Sequence, residues 1–121
     1  MITIGIIKDA VCEYFGIDEM TMFSKSRQAH IVHPRQFFHY VARKHLYKYG
    51  YSLSKIGSYF NDVTGNVWNH ASVLNSIKNI EGLIDIYGYA KVDYECIMDI
   101  IRRKVDEEKA KNIEVIVEPN D

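Results

Sequence analysis

SLSKIGSYFNDVTGNVWNHASVLNSIKNI, residues 52–80, holds two amphipathic segments separated by a turn. Ser52 is a hydroxyl N-cap, and Leu53, Ile56, Tyr59 and Phe60 recur at the spacing of one helical face, which predicts a helix over Leu53 to Phe60. The next eight residues, Asn61 to Trp68, contain Gly65 and two asparagines and read as a loop. Asn69 then caps a second helix, in which Val73, Leu74, Ile77, Ile80 and Leu83 form an apolar stripe to about Tyr87. Two such helices joined by a Gly-containing turn are a candidate helix-turn-helix.

Upstream of this pair lies an asymmetry of charge. From Ser24 to Asn61 there is no Asp or Glu, and Lys25, Arg27, Arg35, Arg43, Lys44, Lys48 and Lys55 give the stretch +7. Met1 to Phe23 carries −3 and Asp62 to Asp121 carries −5, so the formal net charge of −1 conceals a basic segment. A basic face on a near-neutral protein points to a polyanion partner, because clustered Lys and Arg neutralise phosphates. The candidate helix-turn-helix beside that charge makes double-stranded DNA the expected polyanion.

The rest of the chain reads as helix. Ile4, Ile7, Val11, Tyr14 and Phe15 mark an amphipathic helix ending near Gly16, and Asp18 to Phe23 reads as one further turn. Pro34 suits a first helical turn, so a helix is expected from Arg35 to about Tyr49, with Phe37, Phe38, Val41, Ala42 and Leu46 inward and Gly50 as its stop. After a break at Gly88, Val92, Cys96, Ile100, Ile101 and Val105 outline a last helix. Ile113 to Val117, IEVIV, reads as a short strand that either frays or pairs with another copy. The expected fold is all-α: a compact bundle of about five to six helices over residues 1–105, with a charged helix end and flexible tail over residues 106–121.

Composition closes off several function classes. A chain of 121 residues with 47% hydrophobic and 12% aromatic content has the makings of one globular domain. No stretch reaches the roughly 18 apolar residues of a membrane span. The N-terminus lacks a secretory pattern, so a cytoplasmic, nucleoid-associated location is expected. Cys12 and Cys96 have neither zinc nor redox spacing and read as buried, inert thiols. His30, His33, His39 and His45 have no paired Cys or convergent carboxylate, so no metal site is expected. No catalytic constellation accompanies any of the nine tyrosines, and neither enzymatic activity nor a cofactor is expected. Tyr40, Tyr47, Tyr49, Tyr51 and Tyr59 surround the basic stretch and read mostly as half-buried packing groups. Trp68 likewise reads as a packing anchor more than a base-stacking group.

Four segments occur in one order: IIKDAVCEYFGI (residues 6–17), SKSRQAHIVHPRQ (24–36), SLSKIGSYF (52–60) and NHASVLNSIKNI (69–80). Together they resemble the C-terminal DNA-binding domain of the bacterial chromosomal replication initiator DnaA, over about Ile4 to Arg103. The most distinctive pieces are Pro34-Arg35-Gln36, the Ser-Leu-x-x-Ile-Gly of Ser52 to Gly57, and the His-x-x-Val-Leu of His70 to Leu74. The resemblance implies that the loop from Ser24 to His33, with Lys25, lies against DNA and that Arg27 reaches the minor groove. It implies further that Arg35 and Gln36 contact DNA at the start of the next helix and that Arg43 touches the backbone. Asn69, His70, Ala71 and Ser72 begin the implied recognition helix and reach base edges.

The chain also departs from that family. Asp-His-Thr-Thr is replaced by Asn69, His70, Ala71 and Ser72, which removes a carboxylate and a hydroxyl; Ala71 can touch a thymine methyl but cannot hydrogen-bond. The family's compact Gly-Gly-Arg link becomes the eight residues Asn61 to Trp68, with Trp68 in place of the Arg. A sequence preference different from the family's usual box is therefore expected. No GxxxxGK[ST] pattern is present, so ATP-driven assembly is not expected of these residues. A stand-alone domain of this kind suits an accessory or regulatory factor in replication or transcription. The alternative is a protein-interaction module that keeps the fold, has lost specific DNA binding and engages replication proteins. Oligomeric state is left open by the sequence.

Overall fold

The computed structural model describes residues 1–117, with side chains to Lys111. Seven α-helical segments run in the order α1 (Ile4–Phe15), α2 (Glu19–Met22), α3 (Ala29–Leu46), α4 (Leu53–Gly57), α5 (Asn61–Thr64), α6 (His70–Ile86) and α7 (Gly88–Val117); a 3-10 turn, Tyr47–Tyr49, follows α3. The described residues contain no strand, and the all-α expectation holds.

Local chemistry sets most boundaries. Thr3 Oγ1 accepts from the Ile6 N–H at 3.1 Å to cap α1, and Gly16 ends it at φ 65°. Asp18, Ser52 and Asn69 cap α2, α4 and α6 by accepting from the N–H three residues on. Gly50, at φ 90°, closes the 3-10 turn.

The central helix is α3. It packs against α1 on one side and α6 on the other, while α7 covers α1 and α6. Phe37, Phe38 and Val41 of α3 are fully buried with Ile7 and Val11 of α1, Val73 and Ile80 of α6, and Ile97 and Ile101 of α7. Burial of each such side chain contributes about 1.5–3 kcal/mol, which makes this aromatic and aliphatic core the main source of stability.

Five sequence expectations are corrected. First, α3 begins at Ala29, six residues before Arg35, so Pro34 stands inside the helix. A proline there removes its own N–H from the ladder and crowds the His30 carbonyl, a cost that the burial of Ile31 and Pro34 offsets. The loop expected over Ser24 to His33 is thereby shortened to Ser24–Gln28. Second, Asn61 to Trp68 is not wholly loop, since α5 forms a turn between two left-handed residues, Phe60 at φ 73° and Gly65 at φ 75°.

Third, IEVIV is helical, the end of α7. Adding residues to a formed helix needs no new nucleus, whereas a lone strand has no ladder partner. Fourth, the two cysteines are half-buried rather than buried, and burial pushes the Cys12 thiol up to about 11. Fifth, Gly88 begins α7 instead of separating two helices, with Tyr87 as the single extended residue between α6 and α7. Val105 is half-buried and Asp106 to Lys111 are all exposed, so α7 leaves the body there. The expected tail residues 118–121 lie outside the described part.

Candidate nucleic-acid interface

In the helix-turn-helix, α4 packs against α6 through a close backbone approach. The Trp68 N–H donates to the Gly57 carbonyl at 2.9 Å. A Cβ on Gly57 would stand 1.8 Å from the Trp68 carbonyl oxygen, so only glycine lets α4 meet the residue that leads into α6. Asn69 Oδ1 is committed to the Ser72 N–H at 2.8 Å, which leaves its amide NH2 for an outside partner. Asn69, His70 and Ala71 are exposed and Ser72 is half-buried. A helix N-terminus ringed by short or polar side chains offers little obstruction and a favourable field for an anionic surface.

The loop Ser24–Gln28 lies beside that terminus. Lys25 Nζ donates to the Val67 carbonyl at 2.6 Å, and Asn66 Nδ2 donates to the Phe23 carbonyl at 2.9 Å. Lys25 and Arg27 are exposed. The structure thus brings Lys25 to the residues that precede α6, with Arg27 two residues further along the same short loop.

Arg35 is placed differently from the exposed contact expected of it. It is 7% exposed, and its guanidinium donates to the carbonyls of Met22 (3.1 Å), Ser24 (2.7 Å) and Ser26 (3.1 Å). It holds the basic loop in shape from beneath. Burial lowers its pKa, though a guanidinium stays charged at any working pH. The periodicity carried this information: Ile31, Arg35, Phe38 and Ala42 are spaced four, three and four, and all are buried.

Gln36 Oε1 accepts from Asn79 Nδ2 at 2.6 Å, which puts it against the third turn of α6 instead of at the start of a helix. Arg43 lies two turns on from Gln36 along α3, its guanidinium 3.6 Å from the Tyr47 ring centroid. Of the nine sequence-derived residues, Lys25, Arg35 and Asn69 to Ser72 converge around Trp68, and Arg27 shares their loop. Gln36 and Arg43 extend along α3.

Among the described residues, ion pairs lie on α1, α2 and α7, and Lys78 of α6 meets no carboxylate. Lys8, Arg102, Arg103 and Lys104 all meet carboxylates. Among the described residues, none of the seven cations between Ser24 and Asn61 does. Six of them rest on aromatic rings instead: Lys25 and Arg35 on Trp68, Arg43 on Tyr47, Lys44 on Tyr40 and Tyr94, Lys48 on Tyr49 and Lys55 on Tyr51. A ring orients a cation through its quadrupole without cancelling the charge, so the positive field survives at the surface. Of the tyrosines expected to be half-buried packing groups, Tyr47 and Tyr49 are exposed instead, and with Tyr40 and Tyr51 they serve as rests for the cations interleaved with them.

Beneath the interface, His39 is 1% exposed and its Nδ1 lies 3.0 Å from Ser76 Oγ. Ser76 donates its one hydroxyl proton to the Ser72 carbonyl, so His39 Nδ1 carries the hydrogen and donates. His39 Nε2 has no partner. Burial, with the Arg35 charge adding to it, holds the imidazole neutral with its pKa lowered to about 3. Among the described residues no His, Cys, Asp and Glu cluster could hold a metal ion, and no helix is long and apolar enough to cross a membrane.

Comparison with known proteins accords with this geometry. The family model described as the bacterial dnaA protein helix-turn-helix matches residues 4–80. The chromosomal replication initiator protein DnaA of Bacteroides fragilis (strain YCH46) is 30% identical over 103 residues, covering 85% of this chain and 20% of the relative. The DnaA of Anaplasma marginale (strain St. Maries) is 34% identical over 85 residues, 70% of this chain and 16% of the relative. The Wolbachia DnaA (sp. subsp. Brugia malayi, strain TRS) is 36% identical over 83 residues, 69% and 16% respectively. The chain spans about a fifth or less of the length of these relatives. With α4, the turn and the first three turns of α6 inside the matched residues, the chain belongs to the bacterial DnaA helix-turn-helix family.

Proposed function

We propose that this domain binds double-stranded DNA, with the first turn of α6 in the major groove and the Ser24–Gln28 loop on the adjacent backbone and minor groove. The observation that carries this reading is the carboxylate-free Lys25 held beside the open N-terminus of α6, with the exposed Arg27 on the same loop. In this reading Lys25 and Arg43 neutralise phosphates, Arg27 enters the minor groove, and Gln36 lies along the backbone. Asn69, His70, Ala71 and Ser72 meet base edges, with Ala71 limited to apolar contact with a thymine methyl. Arg35 serves the same surface from below by shaping the loop. The relatives are named as chromosomal replication initiators, which supports an accessory or regulatory role in replication or transcription, in contact with replication proteins, in the nucleoid of the cytoplasm.

The test is duplex binding by fluorescence anisotropy across a salt series. Three or so phosphate contacts predict an affinity loss of roughly 10–100-fold between about 50 and 200 mM salt. Arg43→Ala should weaken binding to all sequences and flatten the slope by about one, while His70→Ala should change which sequences a random pool yields. Binding indifferent to salt would sink the electrostatic part. A second reading, a protein-interaction module, has in its favour the exposed corner of Ile86, Tyr87, Tyr89 and Val92 between α6 and α7. Absence of any shift with random duplex at low salt and high micromolar protein would select it.

A further inference from the structure

The turn between α4 and α6 is longer than two packed helices need, and its residues reach across to the basic loop. Phe23, at the root of that loop, packs on Phe60 and Trp68 with centroids 5.3 and 6.4 Å apart. Asn66 Nδ2 donates to the Phe23 carbonyl and Lys25 Nζ to the Val67 carbonyl. Trp68 then receives two cations, with Lys25 Nζ 4.1 Å and Arg35 Cζ 4.8 Å from its ring centroid. Its own N–H goes to Gly57 of α4, and the next residue is the cap of α6. One residue therefore joins four parts: its indole touches the loop and α3, its backbone holds α4, and it leads directly into α6.

Packing alone does not account for this arrangement. A side chain serving only as a core anchor needs apolar neighbours, and Trp68 has Phe23 on hand for that. Instead it draws two like charges together with no carboxylate to balance them, which disfavours both; burial and the Arg35 charge lower the Lys25 pKa accordingly. Such a pair gains when an anion approaches. The loop it holds is otherwise exposed over Arg27 and Gln28, and an unheld loop would be ordered only on binding, at a cost to affinity.

We infer that Trp68 is a positioning residue that clamps the basic loop to the start of α6, so that Arg27 and the α6 N-terminus meet duplex DNA as one preorganised surface. This rests on the DNA-binding reading above. Trp68 acts through the loop, not by touching DNA itself.

The experiment is a double-mutant cycle on binding of a random-sequence duplex, with Trp68→Leu, Arg27→Ala and the pair. Trp68→Leu should weaken binding about tenfold in the wild-type background, yet less than about twofold once Arg27 is gone. Trp68→Phe, which keeps a ring beneath Lys25, should recover most of the loss. Asn66→Ala cuts one tie without altering charge or core and carries the same cycle where Trp68→Leu is unfolded by circular dichroism. In the free protein, hydrogen exchange of the Ser24–Gln28 amides should quicken in the clamp variants while the α1 and α7 amides keep their rates. Equal losses with and without Arg27, or unchanged loop exchange, would overturn the clamp while leaving DNA binding intact. No duplex binding by the wild-type chain would overturn the DNA-binding reading and this role with it.

Discussion

Arg35 and Arg27 stand eight positions apart and divide the work of one charge type. Arg27 is exposed and takes no part in an ion pair among the described residues, so Arg27→Ala should leave stability unchanged. Arg35 is buried on three carbonyls, and Arg35→Ala should destabilise the fold by about 3 kcal/mol by leaving them unpaired, readable as a lowered midpoint in urea. Arg35→Lys should recover little, because a point ammonium cannot reproduce the planar fork that spans three acceptors. His39 supplies a pH dependence. Its pKa falls from 6.5 in the unfolded chain to about 3 when folded, so below pH 6.5 the unfolded state binds the extra proton. Stability above pH 6.5 is unaffected by this group and then declines as pH falls toward 3, by about 2 kcal/mol between pH 6.5 and 5. Denaturant melts of His39→Gln should show a shallower decline across that window; an unchanged one would mean other groups govern it.

At the scale of elements, the helix-turn-helix depends on the contact between Gly57 and Trp68. Gly57→Ala would press a methyl group into the Trp68 carbonyl, at backbone that cannot step aside without moving α4 from α6. We expect a loss of ~3 kcal/mol, with the α4–α6 contact opening before the α1–α7 side. A melting temperature equal to the wild type's would disprove that tight approach. The caps Ser52 and Asn69, the Gly16 stop and the stripe of α1 were legible in sequence because each rests on neighbours within one or two turns, whereas α4 ends at Gly57, short of the expected Phe60, and Leu74 of the α6 stripe is exposed. The start of α3 was not. Pro34 signals a first turn statistically, but Ile31 and Pro34 are both buried in the folded chain, and that burial outweighs the local signal. The same holds for α5, whose left-handed entry at Phe60 is sustained by packing of Phe60 on Phe23.

Across the whole molecule, one stretch is kept free of carboxylates. α1 and α7 mix both signs and pair them within and between themselves, whereas the acid-free run from Ser24 to Asn61 keeps its field over loop, α3 and α4. A net charge of −1 would not attract a polyanion, so DNA attraction must come from that run and must fade with salt. Composition, periodicity and charge placement determined that the chain is helical, where its helix-turn-helix lies and that its basic residues precede it, since these depend on residue type and local spacing. Only the tertiary structure decided which cations face outward. Arg35 turns in and Arg27 stays out, and Trp68 joins loop to helix, because burial, carbonyl orientation and ring contacts arise between segments that are distant in the chain and adjacent in space.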